Sequence, residues 1–192
     1  FRGENILNYS NEQMKEMRRK IQIIFQDPYA SLDPRMSTFQ LIEEPLRAFR
    51  DDYSKDFREK RVLELMDMVG LSKRFINAYP LILRLNYTYP HELDGGRRQR
   101  IGVARAIATE PEFIVCDEPV SALDVSIQAQ ILNLLMDLQD ELGLSYMFIT
   151  HDLSVVRHIS DDILVMYLGQ CIERAPSEEL FKIPLQPYTK SL

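Results

Sequence analysis

The sequence predicts an α/β protein: a mostly parallel sheet of short buried strands, interrupted by an inserted all-helical lobe. Three observations predict it. Apolar runs at 21–25, 113–116 and 145–149 are short and stop at polar or turn-forming residues, the pattern of buried strands. Apolar residues at helical spacing separate the later runs, as in domains whose helices cover both faces of a parallel sheet. From about 37 to 109 the pattern is mainly helical and holds no strand, which marks an insertion.

Taken in chain order, residues 11–19 are polar and helix-prone, and Ile21-Gln22-Ile23-Ile24-Phe25 reads as a largely buried strand. It stops at Gln26-Asp27-Pro28, and a loop rich in turn formers runs to Pro34. Within 55–69, Val62, Leu65, Met66 and Val69 form one apolar face, ended by Gly70. Residues 72–92 are less regular. There Asn77-Ala78-Tyr79-Pro80 is echoed by Tyr87-Thr88-Tyr89-Pro90, which reads as an elongated loop. After Gly95-Gly96 a helix is predicted through Thr109, with Ile101, Ala104 and Ala108 on one stripe. Phe113-Ile114-Val115-Cys116 is a buried strand ending in Asp117 and Glu118. Residues 126–142 form a strongly amphipathic helix with Ile127, Ile131, Leu134, Leu135, Leu138 and Leu142 inward, closed by Gly143. Another buried strand, 145–149, ends at Thr150-His151-Asp152. A short helix over 153–159 precedes a hairpin, 163–167 with 170–173, around Leu168-Gly169.

A chain of 192 residues, 45% apolar and 27% charged, has the makeup of a soluble globular protein with one substantial core. Its net charge of −6 argues against a general nucleic-acid surface, which is usually basic. Nucleotides remain admissible, because local amides and a metal ion hold them rather than net charge. Cys116 and Cys171 lack metal-ligand spacing and sit in apolar runs, so both read as buried, reduced thiols of a cytosolic protein. No apolar run approaches the ~18 residues that span a membrane. The opening Phe1-Arg2-Gly3-Glu4 carries no initiator Met and no signal peptide, and it reads as the middle of a longer sequence.

The candidate chemistry lies at strand ends. Ligands of open α/β sheets bind outside the carboxyl ends of the strands, and three strands here end there in polar groups: Gln26, Asp117-Glu118 and His151. Of two adjacent acids, one can hold Mg²⁺ and the other can orient or deprotonate water. The plain alternative is a pair of solvated or helix-capping carboxylates. A histidine at such an edge can donate to a phosphate, although most lone histidines are structural. In Leu93-Asp94-Gly95-Gly96-Arg97-Arg98-Gln99-Arg100, paired glycines just before a helix let amides approach an anion. Against that stands a simple turn with Asp94 as helix cap and a solvated arginine face.

Together these segments resemble, in fixed order, the ATP-binding subunits of ABC transporters. Ile23-Ile24-Phe25-Gln26-Asp27-Pro28 is similar to the Q-loop, and 93–100 to the signature motif, commonly Leu-Ser-Gly-Gly-Gln. Residues 113–118 resemble the Walker B strand, Ser121-Ala122-Leu123-Asp124 the D-loop, and His151 the switch histidine. Residues 29–36, Pro119-Val120-Ser121 and Gln186-Pro187-Tyr188-Thr189 resemble the oligopeptide and dipeptide importer branch. The resemblance implies a P-loop NTPase core over 1–26 and 110–192, with a helical subdomain over 27–109. It implies ATP and Mg²⁺ as cofactors, with Asp117 and Gln26 toward the metal. Glu118, His151 and Gln26 would be the catalytic groups. Asp94, Gly95, Gly96 and Arg97 would close over the nucleotide of the opposing subunit, and Asp124 would shape that dimer interface. The expected partners are a second ATP-binding subunit, identical or paralogous, two transmembrane permease subunits near 27–36 and, indirectly, an external solute-binding protein. No nucleic acid is expected, and the expected place is the cytoplasmic face of a bacterial or archaeal membrane.

Three departures stand out. No G-x-x-x-x-G-K-[ST] phosphate loop occurs; the resemblance places it before Phe1, so this chain alone is expected to hydrolyse negligible ATP, and the family pattern also continues past the tail. Asp94 stands where Ser is usual and Arg97 where Gln is usual, a pair expected to compensate each other or to mark the weaker site of an asymmetric dimer. An extra segment around 81–89 falls in the helical lobe. The alternatives are an importer ATPase for nickel or another small solute, a non-transport ABC ATPase, and an inactive subunit. Intact Glu118 and His151 argue against the last.

Overall fold

Ser10 opens the first helix with a reciprocal cap: its hydroxyl accepts from Gln13 N–H, and the Gln13 side chain accepts from Ser10 N–H. That helix, α1 (Asn11–Lys20), ends on Arg18, Arg19 and Lys20, cations suited to a helix C-terminus. It runs directly into β1 (Ile21–Ile24). The structure is a computed structural model and describes residues 1–50, 52–71 and 88–192. The Asn77–Pro80 segment and nearly all of the extra 81–89 segment lie outside the described residues.

β1 pairs in parallel with β2 (Phe113–Asp117), from Ile21 opposite Phe113 to Ile24 opposite Cys116. The sheet order is β1-β2-β3, where β3 is Ser145–Ile149. Backbone bonds from Glu112 N–H to Lys20 O (2.9 Å) and from Ser145 N–H to Glu112 O (3.1 Å) start the strands side by side. β2, in the middle, fits the expectation of a buried strand, with Ile114 and Cys116 fully enclosed. β1 and β3 do not. Ile23 is 41% exposed and Phe25 50%; Met147 and Ile149 are exposed to a similar degree. Both are outer strands of the three, and alternate residues of a strand face opposite sides.

A one-turn helix, α2 (Pro28–Ser31), replaces the plain loop expected after Gln26. Asp27 accounts for it: its carboxylate accepts from Tyr29 N–H, and proline at the first helical position is preset for the helix. α3 (Thr38–Phe49) carries a second reciprocal cap, Ser37 with Gln40, and buries Phe39, Leu41, Ile42 and Leu46. α4 (Lys55–Met68) buries Val62, Leu65 and Met66, and Gly70 at φ +70° ends it as expected. α5 (Gly95–Ile107) is the central element of the helical region. It packs against α2, α3, α4 and β1, and against α6 (Val125–Leu142).

Along α6 the expected stripe holds at Ile131, Leu134, Leu135 and Leu138, but Leu142 is exposed. It is the last helical residue, at the left-handed Gly143 (φ +65°), where the chain turns away.

The chain forms two units, 1–147 and 148–192, so β3 runs from one into the other. In the second, α7 (Leu153–Ile159) is capped by Asp152. β4 (Asp162–Tyr167) and β5 (Gln170–Pro176) form the expected antiparallel hairpin. Leu168 (φ +48°) and Gly169 (φ +79°) both take the left-handed geometry that a tight two-residue hairpin turn demands. Cys171, expected to be buried, is exposed on this hairpin, whereas Cys116 is enclosed. α8 (Ser177–Lys182) and α9 (Pro187–Ser191) complete the unit. The Glu173 carboxylate accepts from Leu185 N–H (2.7 Å) and Gln186 N–H (3.2 Å), which secures the start of α9.

Candidate nucleotide site

The parallel register of β1 and β2 sets their carboxyl ends level, with Ile24 beside Cys116. Two residues beyond that pair, just past the end of each strand, Gln26 Nε2 donates to Glu118 Oε2 at 2.7 Å. Ninety-two positions separate these residues in sequence, and the sheet alone brings them together. Asp117 is the last residue of β2, half-buried beside them.

Glu118 adopts φ +44°, a left-handed backbone that a residue with a side chain rarely takes. Its carbonyl is held by Ser121, whose N–H and hydroxyl both donate to it (3.3 and 3.1 Å). Strain of this kind concentrates at functional sites, where the surroundings over-determine it. The turn thereby fixes where the carboxylate of Glu118 leaves the strand. Among the described residues no cluster of three or more His, Cys, Asp or Glu is placed to hold a metal. A cation beside Asp117 would therefore draw most of its oxygens from phosphate and water.

His151 lies two residues beyond β3, in the second unit. Its turn is fixed locally: Asp152 N–H donates to Thr150 Oγ1, and the Asp152 carboxylate accepts from the Ser154 hydroxyl and N–H. Those Ser154 bonds, with a smaller contribution from His151, hold the Asp152 carboxyl below the usual carboxylate range.

The 94–97 segment differs from expectation in one respect. Gly95 and Gly96 are not before the helix but form its first turn, with Asp94 as cap. Asp94 Oδ1 accepts from Arg97 N–H (2.8 Å), and Oδ2 pairs with Arg97 Nε (3.2 Å). Packing accounts for the glycines. A Cβ at Gly95 would stand 3.0 Å from Leu123 Cδ2, and one at Gly96 2.7 Å from Ile127 Cγ2. The glycine pair therefore lets the start of α5 press onto the turn that begins α6. Asp124 sits in that turn; its carbonyl accepts from Ile127 N–H and Gln128 N–H (both 2.9 Å), and its side chain makes no capping bond. Asp94, Gly95, Gly96, Arg97 and Asp124, scattered over thirty positions, thus share one corner of the first unit.

Sequence reasoning missed the work of the other arginines of α5. Arg98 donates to Leu93 O (2.6 Å) and lies over the Tyr29 ring. Arg105 donates to Ser31 O (3.0 Å) and pairs with Glu44 (2.7 Å). Arg98 and Arg105 are seven residues apart, two helical turns on one face, and together they grip α2 just after Gln26. That spacing was the available signal. Between β1, α2, α3 and α5 lies a cavity of about 240 Å³, lined by Phe25, Pro28, Pro45, Phe49, Gln99 and Arg105 among others.

Comparison with known proteins bears on the same segments. A family model described as ABC transporter matches residues 1–121. The chain is 53% identical, over its whole length, to the oligopeptide transport ATP-binding protein OppF of Bacillus subtilis, covering 60% of that protein. It is 52% identical to the dipeptide transport ATP-binding protein DppF of Haemophilus influenzae, again over its whole length and over 55% of that protein. It therefore spans little more than half the length of these relatives. Among solved structures, a dimeric ATP-binding cassette in a post-hydrolysis state bound to ADP and phosphate aligns with a TM-score of 0.71. The two are 28% identical, over 88% of this chain and 68% of that one. The cbiO1 protein of Clostridium perfringens, part of the ABC transporter complex cbiONQ, aligns at 0.75 with 28% identity, over 91% and 64%. The parallel sheet with Gln26 and Glu118 at its carboxyl edge, the family match and the whole-length identities agree: the chain belongs to the ABC transporter family.

Proposed function

We propose that the protein carrying this chain binds and hydrolyses ATP to drive peptide import through a membrane partner. The Gln26–Glu118 hydrogen bond, at the carboxyl ends of adjacent parallel strands, is the observation that carries the reading. Whole-length identity of about half to peptide-transport ATP-binding proteins supports the peptide assignment. In this reading 1–26 and 110–192 belong to the nucleotide-binding core and 27–109 form the helical subdomain.

The net reaction is ATP + H₂O → ADP + phosphate. Glu118 accepts the hydrogen bond of the attacking water and draws off its proton, while Gln26 orients the Glu118 carboxylate. Asp117, with the Gln26 amide oxygen, supplies the hard oxygen donors that suit Mg²⁺, an ion that keeps one or two protein carboxylates and fills its shell with phosphate and water. When bound, Mg²⁺ neutralises charge on the phosphate oxygens. His151 donates to the terminal phosphate. Asp94, Gly95, Gly96 and Arg97 face the nucleotide of a second ATP-binding subunit, identical or paralogous, and Asp124 shapes that interface. Two permease subunits contact the region after Gln26, with the cavity beside α2 within the docking face, at the cytoplasmic side of the membrane. An external binding protein delivers the solute.

The test uses the complete gene product, reconstituted in vesicles with its membrane subunits and binding protein. Glu118→Gln is expected to lower ATP hydrolysis by about 100-fold or more, the scale of general-base catalysis, while ATP binding persists. A variant that keeps a tenth of the parent rate removes Glu118 from this role. Short peptides, and not Ni²⁺, are expected to stimulate the parent; stimulation by Ni²⁺ alone overturns the peptide assignment.

A further inference from the structure

The joint between α5 and β2 carries a charge cluster that the proposed hydrolysis does not use. Glu110 stands in this joint at φ +57°, a left-handed backbone that a residue with a side chain rarely takes. Its carboxylate accepts from Arg50 Nη1 at 2.9 Å and from the Tyr53 hydroxyl at 3.3 Å, and Arg61 Nη2 lies 3.7 Å away. Arg50 caps the end of α3 and Arg61 belongs to α4, so one side chain gathers both helices. Arg50 also pairs with Asp52 (3.2 Å) and lies over the Tyr53 ring. Its side chain is only 11% exposed, unlike the solvated surface pairs that contribute little. Residues on either side of Glu110 are tied to the end of α1, beside β1. Thr109 Oγ1 donates to Arg19 O, and Glu112 N–H to Lys20 O, both at 2.9 Å.

We propose that Glu110 is a positioning residue that couples the partner-facing side of α3 to the hydrolytic end of β2. The inference rests on the preceding reading, in which permease subunits dock beside α2 and Glu118 activates water, and it adds the residue that joins the two places. Phe49, the last residue of α3, lines the cavity within that docking face, and Arg50 follows it directly. Only Pro111 and Glu112 separate Glu110 from β2, whose far end carries Asp117 and Glu118. A shift of α3 under a docked partner therefore bears on Glu110 through a hydrogen-bonded ion pair, and on the start of β2 through two residues. The strained backbone gives the joint two states, which a coupling needs. Engaged by Arg50 and Tyr53, the carboxylate offsets the cost of the left-handed turn; released, it no longer does.

The test uses the complete gene product in vesicles with its membrane subunits and binding protein. It reads a ratio, ATP hydrolysis with an equimolar mixture of short peptides over hydrolysis without them. Loss of folded protein lowers both rates alike and leaves the ratio unchanged, so a merely structural role does not move it. Glu110→Gln keeps the shape and removes the charge, whereas Glu110→Gly removes the carboxylate and relieves the backbone. Each is expected to lower the ratio by more than about twofold, the range in which one substitution modulates a coupling. Arg50→Gln is expected to lower it likewise, and the double variant Arg50→Gln/Glu110→Gln no further than the more affected single, since the two residues act as one contact. A ratio within about twofold of the parent in either Glu110 variant overturns the assignment, as does a double variant equal to the product of the singles; both outcomes leave the hydrolysis reading standing. A parent that peptides do not stimulate overturns the preceding reading and this one with it.

Discussion

Gly96→Ala places a methyl 2.7 Å from Ile127 Cγ2, well inside the 3.4 Å at which ordinary contact begins. Two effects oppose each other. Alanine in place of glycine favours a helix by about 1 kcal/mol in the interior and less in the first turn. Overpacking a close contact disfavours it by about 1–3 kcal/mol. The second wins here because Cγ2 belongs to a β-branched side chain on a helix, with one strongly preferred χ1, so the methyl cannot rotate aside. The net loss is about 1–2 kcal/mol, which at an m-value near 2 kcal/mol/M lowers a urea midpoint by about 0.5–1 M. Urea titration of the complete gene product by circular dichroism measures it. Stereochemistry supplies the control. Ile127→Leu removes the branch methyl and is expected to rescue Gly96→Ala; Ile127→Val keeps it and is not. Gly96→Ala at or above parent stability, or equal rescue by both partners, refutes the reasoning. Gly95→Ala meets only the end of the flexible Leu123 side chain, at 3.0 Å, and is expected to lose less.

Further expectations concern the buried thiol and the C-terminal segment. Burial pushes the Cys116 thiol far above its ordinary range. An unfolded thiol ionises near about 8.5 and the folded one does not, so its stabilisation is complete below that pH and is lost as pH rises above it. Urea midpoints are expected to fall between about pH 8.5 and 9.5, with a Cys116 share of up to about 1.4 kcal/mol per pH unit, and Cys116→Ala to flatten that fall. Under native conditions an alkylating reagent is expected to modify exposed Cys171 and leave Cys116 until urea is added, as read by peptide mass spectrometry. Glu173→Gln keeps the shape but weakens acceptance of the Leu185 and Gln186 N–H groups. Hydrogen exchange of those two amides is expected to quicken while the β4–β5 hairpin amides hold their protection.

Local order was legible in the residues themselves. The helix bearing Val62, Leu65 and Met66, the stop at Gly70, the central strand before Asp117 and the Leu168-Gly169 turn all follow from periodicity and turn chemistry that act within a few residues. Burial of the outer strands was less legible. An apolar run signals a strand but not how many neighbours that strand will have, so Ile23, Phe25 and Met147 came out more exposed than their composition implied. Cys171 failed for the same reason, since exposure depends on the layer above it.

At the candidate site, residue types and order pointed to Gln26, Glu118 and the glycine pair, because phosphate and metal chemistry restricts which side chains serve at strand and helix ends. Only the tertiary structure decided how those residues meet. Parallel register brings Gln26 within 2.7 Å of Glu118, and interhelical packing gives Gly95 and Gly96 a steric reason that no local rule contains. The sorting of arginines is likewise tertiary: Arg98 and Arg105 reach α2 while Arg97 pairs with Asp94. The division has one physical cause. Propensity and capping act between near neighbours in the chain and can be read from them, whereas contacts across tens of residues depend on which faces the fold presses together.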